Sequence, residues 1–355
     1  MKIQYRDYWS KKRFQPFLEM ILFFPISVMA RFIPKKDIEI YGSMNGFKIC
    51  DNSKFLFDHR SSDNSFFITK NKEISLENRD RVVYAYSLKG FYLQLLAKKI
   101  YWTHGLNDFI PSLVVGAYIV GLQHGLPGKK GGNANLSKIN IFNYKIKNKL
   151  VPFCNIYFCH EVWSPKKVYD SCMKEVFYPS DTIIVRKQIP RIEFQPKLPR
   201  KRKILYAPSH RGFRSLSDVI SANNIFSVDF LRKLNENNFE LILRPHPISY
   251  EELKKSDIDI PVKIDLSDDV HDSIASYSVV ISDFSGLLID CWELDIDTYC
   301  LCDDLEDVFE RDMLFDWFYQ RLNSVRIFDI LEVLKNPVIS CDVDSVNSKV
   351  LKSEI

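Results

Sequence analysis

The sequence predicts an α/β protein of two doubly wound domains, each a mainly parallel sheet with helices on its faces, the two facing a cleft. Three observations lead there. Short apolar runs of four to eight residues, β-branched or aromatic and bounded by turn residues, alternate with helical segments, as βαβ units require. The alternation occurs twice, on either side of a basic, proline-bearing stretch. The length, 355 residues, exceeds one ordinary core and suits two domains of roughly 150 residues.

The first segment is distinct. Residues 1–36 hold eight Lys/Arg against two acidic residues. Lys11, Lys12 and Arg13 precede an apolar stretch, Met20 to Ala30, broken by Pro25 and followed by Arg31, Lys35 and Lys36. A spanning helix needs about 20 apolar residues, more than this run supplies. No small-residue cleavage site follows, which argues against a signal peptide. A basic-flanked, aromatic-rich segment suits a helix lying in a membrane interface; a core helix with a basic solvent face is the alternative. We expect an N-terminal membrane-associated helix and a protein peripheral to the cytoplasmic face of the cell membrane.

From there the expected strands of the first domain are Ile38–Gly42, Ser65–Thr69, Val82–Tyr86, Ile100–Thr103 and Gly116–Gln123, with helices over Leu76–Asp80 and Lys89–Lys99. The stretch from Arg186 to Lys203 carries eight basic residues and three prolines without hydrophobic period, and reads as a linker. The second series has strands Lys203–Ala207, Glu240–Arg244, Val262–Asp265, Val279–Ile281 and Thr298–Cys302. Its helices are Val228–Asn237, Val270–Ser278 and Gly286–Leu294. The expected division is therefore 1–36, a first domain 37–190, a linker 191–202, a second domain 203–335 and a tail 336–355.

In open α/β sheets ligands bind beyond the carboxyl ends of the strands. Four clusters of phosphate-competent residues fall there. After the run "GAYIVGL" comes "QHGLPGKKGG": His124 stands at the strand end, while Gly125, Gly128, Gly131 and Gly132 leave backbone N–H groups open to an anion and Lys129 and Lys130 add charge. The Walker spacing is absent. An imidazole is a natural general base for a hydroxyl nucleophile. "ILYAPSHRG" delivers Ser209, His210 and Arg211, whose guanidinium suits phosphate. "LILRPHP" sets Arg244 and His246 between Pro245 and Pro247, which restrict the backbone. "VVISDFSGLLIDCWE" ends a strand at Ser282, Asp283 and Ser285 and opens a helix near Gly286, a phosphate-binding arrangement or simply a capped helix. Asp290 and Glu293 follow one or two turns later.

In this order the clusters resemble the CDP-glycerol glycerophosphotransferase family, the teichoic-acid primase and polymerase type. That family carries HG-x-P-x-K, YAP-T/S-x-R, R/K-x-HP and SDYSS-x-x-x-D elements; here they read "HGLPGKK", "YAPSHR", "RPHP" and "SDFSGLLID". The upstream "GFKICDNSKFLFDH" also resembles its N-terminal domain. The resemblance implies a GT-B-like fold of two Rossmann-type domains at the cytoplasmic membrane surface. It implies His124 and His246 as catalytic, with His124 the base. Ser209, Arg211, Arg244, Ser282, Asp283, Ser285, Gly286 and Asp290 would hold a CDP-glycerol or other CDP-polyol donor. Gly125, Lys129 and Lys130 would face a lipid-linked glycan acceptor, and CMP would leave. Leu126, Gly128 and Gly286 depart from the usual Thr, Leu and second Ser of the motifs. Two other readings share the fold: a glycosyltransferase using a nucleotide sugar, and a non-catalytic membrane scaffold.

Composition bounds the rest. With 46% hydrophobic and 26% charged residues the chain is globular, and a net charge of +4 does not argue for nucleic acid. None of the eight cysteines forms a CxxC pair, so free buried thiols are expected, with no zinc site or disulfide framework. The acidic run "CDDLEDVFERD" suits a solvated helix face better than Mg2+, and Arg and Lys can neutralise a diphosphate without metal. The sequence requires no cofactor.

Overall fold

The computed structural model describes residues 15–60, 62–76, 80–131, 134, 155–177, 181–211, 214–246, 249–250, 253–254, 260–311 and 313–340. Lys11, Lys12, Arg13, Gly132, Cys154, Pro247, Asp312 and residues 341–355 of the expected tail lie outside the described residues. The chain divides into two compact units, Met1–Gln195 and Pro196–Ile355.

The first unit is a seven-stranded sheet. Its strands are β1 (Lys36–Tyr41), β2 (Ser65–Thr69), β3 (Val82–Tyr84), β4 (Ala97–Trp102), β5 (Tyr118–Gly121), β6 (Glu161–Ser164) and β7 (Ile183–Arg186). Every pairing is parallel, in the order β3-β2-β1-β4-β5-β6-β7. The order reverses between β1 and β4, where Ile40 lies beside Ile100. Central strands covered on both faces read as continuous apolar runs; Ile40, Tyr41, Ile100 and Tyr101 are wholly buried.

The second unit repeats the plan with six strands: β8 (Lys201–Tyr206), β9 (Glu240–Leu243), β10 (Lys263–Ile264), β11 (Tyr277–Ser282), β12 (Asp297–Leu301) and β13 (Arg326–Ile327). All are parallel, in the order β10-β9-β8-β11-β12-β13. Its switch point lies between β8 and β11. Ser215 and Ser227 cap the helices Leu216–Ala222 and Val228–Glu236, each accepting a backbone N–H of the first turn.

Several expected elements change. Residues Lys89–Lys99 split: the helix runs Leu88–Leu96 and the chain enters β4 at Ala97 without a break, because pairing with β1 outweighs the helix preference of Ala-Lys-Lys. Val270–Ser278 is two short 3-10 turns, Val270–Asp272 and Ile274–Ser276, leading into β11. Leu76 ends the helix Lys72–Leu76, and 77–79 lie outside the described residues. The stretch read as linker holds the end of β7 and the helix Pro190–Glu193, whose Arg191 is buried in the first unit. Asn336, placed in the tail, bonds Asp297 and Tyr299 of the second unit.

At the N-terminus are two short helices, Gln15–Leu22 and Phe24–Ala30. One side is anchored: Glu19 is buried against Lys70 at 2.9 Å and accepts the Tyr86 hydroxyl, and Ser27 and Ala30 are buried. The other side leaves Leu22 69% and Phe32 83% exposed, with Leu18, Ile21, Val28 and Met29. Among the described residues, no helix is long and apolar enough to cross a membrane.

Candidate active site

In the first unit the loops after β1, β4 and β5 meet at the carboxyl edge of the switch point. His124 follows β5 and is exposed, its side chain 70% accessible, yet its Nδ1 lies 2.5 Å from Asp51 Oδ2. Asp51 opens the helix Asp51–His59 and is buried. Its other oxygen takes Arg191 Nη1 at 2.7 Å, and the same guanidinium donates to the His124 carbonyl. Arg191 is fixed in turn: its backbone N–H donates to Asn52 Oδ1 at 3.0 Å, and the Asn52 amide donates to the carbonyls of Leu122 and Gln123. Burial pushes the Asp51 carboxyl up, but Arg191 and then His124 overcome this and hold it well below the usual carboxylate range. A Cβ on residue 125 would come within 3.0 Å of Arg191 Nη2, so Gly125 lets the guanidinium lie under the loop.

The backbone is strained around this point. Met44, Asn45, Asp51 and Gln123 have φ of 51°, 55°, 64° and 64°. Left-handed backbone costs a non-glycine residue on the order of 1–2 kcal/mol, and such strain concentrates at functional sites. The turn at Met44 and Asn45 delivers two amides: Met44 N–H to His104 Nδ1 at 3.2 Å and Asn45 N–H to Asp108 Oδ1 at 2.6 Å. His104 stands beside His124, ring centroids 4.5 Å apart. Gly125 is half-buried, Lys129 exposed and Lys130 half-buried along the following loop.

In the second unit β8, β9 and β11, neighbours in the sheet, end together. Ser209 and His210 follow β8, His246 follows β9, and Ser285 and Gly286 follow β11; all five are half-buried. The His210 and His246 rings stack at 5.4 Å, and His210 Nδ1 lies 3.0 Å from Ser249 Oγ. Gly286 opens the helix Leu287–Glu293, and a Cβ there would meet no atom within 4 Å.

The other expected donor ligands have structural partners. The Arg211 side chain is 0% exposed, held by Asp283 at 3.1 Å and Asp304 at 2.5 Å. Asp283 also accepts the Ser209 N–H at 3.0 Å, so the pair fixes the loop that carries Ser209. Ser282 is fully buried and donates to the Ala207 carbonyl. Arg244 is turned to Asp265 (2.7 Å) and to Ser267. Asp290 is buried against His271 Nε2 at 3.1 Å, while His271 Nδ1 faces Asp269 at 3.0 Å. These side chains fix the loops and strands that carry them.

Against this geometry, comparison with known proteins is decisive. The model of the CDP-Glycerol:Poly(glycerophosphate) glycerophosphotransferase family matches residues 23–319. The chain belongs to that family. As a glycerophosphotransferase-family enzyme it has the fold of the wall teichoic acid polymerase TagF: one solved structure aligns at TM-score 0.64 and 14% identity, covering 96% of this chain and 91% of that one. A histidine-to-asparagine TagF variant soaked with CDPG aligns at TM-score 0.65 and 14% identity, covering 95% and 90%. The two parallel sheets of this chain are thus similar in fold to the GT-B-like TagF. No curated protein matches the chain.

In this glycerophosphotransferase the residues that sequence reasoning missed are Asp51, Arg191 and His104. Asp51 lies within "GFKICDNSKFLFDH", a stretch already similar to the family, and that was the one signal available for it. Asp51, His104 and His124 each offer a ligand atom within 4.8 Å of the others, a grouping able to hold a metal ion. A cation there would share the Asp51 carboxylate with Arg191 and with His124, which already take both of its oxygens. The donor set therefore fits a hydrogen-bonded dyad better than a metal centre. Cys50, Cys159, Cys172, Cys291, Cys300 and Cys302 are free, buried thiols.

Proposed function

We propose that the enzyme moves glycerol phosphate, or a related polyol phosphate, from a CDP-activated donor to a hydroxyl of a lipid-linked surface-glycan or teichoic-acid-type acceptor, releasing CMP. One observation carries the reading: an exposed His124 clamped through Nδ1 to a buried, arginine-locked carboxylate. An ionised Asp51 can only accept, so Nδ1 carries the proton of the neutral ring and Nε2 keeps its lone pair. Nε2 takes the acceptor hydroxyl's proton, and the oxygen attacks the β-phosphorus. The bond to the bridging oxygen breaks and CMP leaves. Asp51 then balances the imidazolium, as a third group orienting a base does.

Donor recognition falls to the second unit. Ser209, His210, His246, Ser285 and the Gly286 N–H stand at the ends of three adjacent strands, the region where open α/β sheets take ligands. Lys129 and Lys130 add cations on the acceptor side. Transfer of this kind is mostly positioning and charge stabilisation.

The exposed side of the N-terminal helices supports a peripheral site on the cytoplasmic face of the membrane, where lipid-linked acceptors lie. Leu18, Ile21, Leu22, Val28, Met29 and Phe32 would enter the interface, with Arg31 and Lys36 at headgroup level. Lys35 does not join them: its ammonium is spent on the carbonyls of Leu95 and Val115, and burial lowers it to about 8.

The test is CMP release from CDP-glycerol with a lipid-linked acceptor. His124→Ala should lower turnover by about 10²–10⁴-fold. Unchanged turnover in that variant removes the base and the mechanism with it.

A further inference from the structure

His104 has no role in the chemistry derived so far, yet the first unit's local structure fixes its backbone and its ring. It follows β4 directly, at the switch point. Its backbone N–H and that of Thr103 both donate to Asp108 Oδ2, at 3.1 and 2.8 Å. The other Asp108 oxygen takes the Asn45 amide, so one buried carboxylate latches the turn after β1 to the loop after β4. On the far side Gly105, at φ 111°, packs where a Cβ would come within 2.5 Å of the Ile156 carbonyl oxygen. The side chain is set as firmly, with Nδ1 facing the Met44 amide at 3.2 Å and the Thr103 hydroxyl at 2.9 Å. The Met44 amide reaches it only because Met44 and Asn45 adopt left-handed backbone, which neither residue type favours as glycine does.

This geometry fixes the protonation. A backbone N–H can only donate, so Nδ1 must present a lone pair, and the ring is the neutral tautomer with its proton on Nε2. With Nδ1 turned to the backbone, the Nε2–H edge is the polar edge left to face a ligand, on a half-buried ring 4.5 Å from His124. Burial, and then the neighbouring His124, push His104 down to about 3, in keeping with a ring that stays neutral throughout the working range.

We infer that His104 is a second catalytic residue, its Nε2–H donating a hydrogen bond to a non-bridging oxygen of the phosphoryl group under attack. The inference rests on the reading of His124 as base. The attacking oxygen must touch both His124 Nε2 and the phosphorus, so the phosphoryl oxygens come within reach of a ring packed against His124. The acceptor proton goes to His124, the new oxygen–phosphorus bond forms, the bond to CMP breaks, and His104 keeps its proton throughout. Charge gathers on the non-bridging oxygens in the transition state, and a fixed neutral donor stabilises it without reorganising and without adding a second cation beside a protonated His124.

The experiment compares full-length wild type, His124→Ala, His104→Ala and His104→Gln in CMP release from CDP-glycerol with lipid-linked acceptor, against pH. Losing one such donor costs about 10²–10³-fold in kcat. We expect that loss in His104→Ala, with KM for donor and acceptor little changed. The amide N–H of His104→Gln should restore at least about tenfold of it. The pH midpoint of kcat should stay where it is in wild type, since the missing ring carries no charge. Wild-type kcat in His104→Ala, with His124→Ala inactive, overturns the inference and leaves the base intact. Equal loss in both His104 variants, or a displaced pH midpoint, shows that the ring only supports His124 and likewise overturns it. A wild type that releases no CMP from CDP-glycerol overturns both readings together.

Discussion

Asp51→Asn tests the active-site reading on two independent scales. Asp51 and Arg191 have side chains only 4% exposed and lie 2.7 Å apart, so neutralising the carboxylate leaves a guanidinium enclosed without its counter-charge. Breaking one side of such a buried pair costs about 3–5 kcal/mol. For a unit of this size that corresponds to a melting point lower by roughly 6–20 °C. Activity should fall separately, by about 10²–10⁴-fold, because an amide carries no charge to balance the His124 imidazolium. The double variant Asp51→Asn/Arg191→Met removes both charges and should recover most of the lost stability while kcat stays low. Thermal denaturation and CMP release measure the two effects. The pH dependence has a definite sign. The Asp51 carboxyl is held lower in the folded state than the roughly 4 of an unfolded chain, so its stabilisation is complete above that value and vanishes as pH falls through the folded one. Wild type and Asp51→Asn should therefore differ most above about pH 5 and converge in strong acid. Full kcat in Asp51→Asn, or an equally unstable double variant, refutes the dyad.

Two further outcomes follow from burial. Arg211→Ala should destabilise the second unit by about 3–5 kcal/mol, seen in thermal denaturation, since it strands the buried Asp283 without its cation and leaves Asp304 only Arg214; a normally folded variant that loses only donor affinity would return Arg211 to the phosphates. Leu22→Ser with Phe32→Ser should release the protein from anionic vesicles in a flotation assay while leaving the melting point within about 0.5 kcal/mol equivalent, because both side chains already face solvent. Deleting residues 1–34 is a poorer test, as it would also remove Glu19 from the buried Lys70. Unaltered flotation of the double variant would sink the interfacial role.

The sequence discloses those parts of the fold whose cause is local. β1, β2, β4, β8 and β11 carry buried apolar residues toward their carboxyl ends, and those ends stand out at once. β6 and β7 are four residues each, with Glu161 and Arg186 at their ends, and carry too short a run to separate from a loop. Arg191 shows the same limit more sharply. Composition places it in a basic linker, but it pairs with an aspartate 140 positions earlier, and nothing near it in sequence reports that partner. Motifs mark strand ends but do not show which way a side chain turns. "YAPSHR" does lie at a strand end, yet whether Arg211 faces a phosphate or the interior is decided by Asp304, 93 positions away.

The same partners resolve a difficulty in the charge distribution. The stretch from Asp265 to Asp316 is strongly acidic, an unpromising field for a dianionic donor. Seven of its carboxylates, however, have cationic or imidazole partners. Asp265 holds Arg244, Asp283 and Asp304 enclose Arg211, Asp303 holds Arg214, and Glu306 holds Arg326. Asp269 and Asp290 flank His271. Where a carboxylate faces an arginine, the opposite charges cancel within a few ångströms, well inside the roughly 8 Å over which salt screens the remainder. What stands at the ends of β8, β9 and β11 is then set by imidazoles, hydroxyls and backbone N–H groups. The arginines of the motifs are paired with the acids, and under the proposed function the groups beside them at the strand ends would meet the diphosphate.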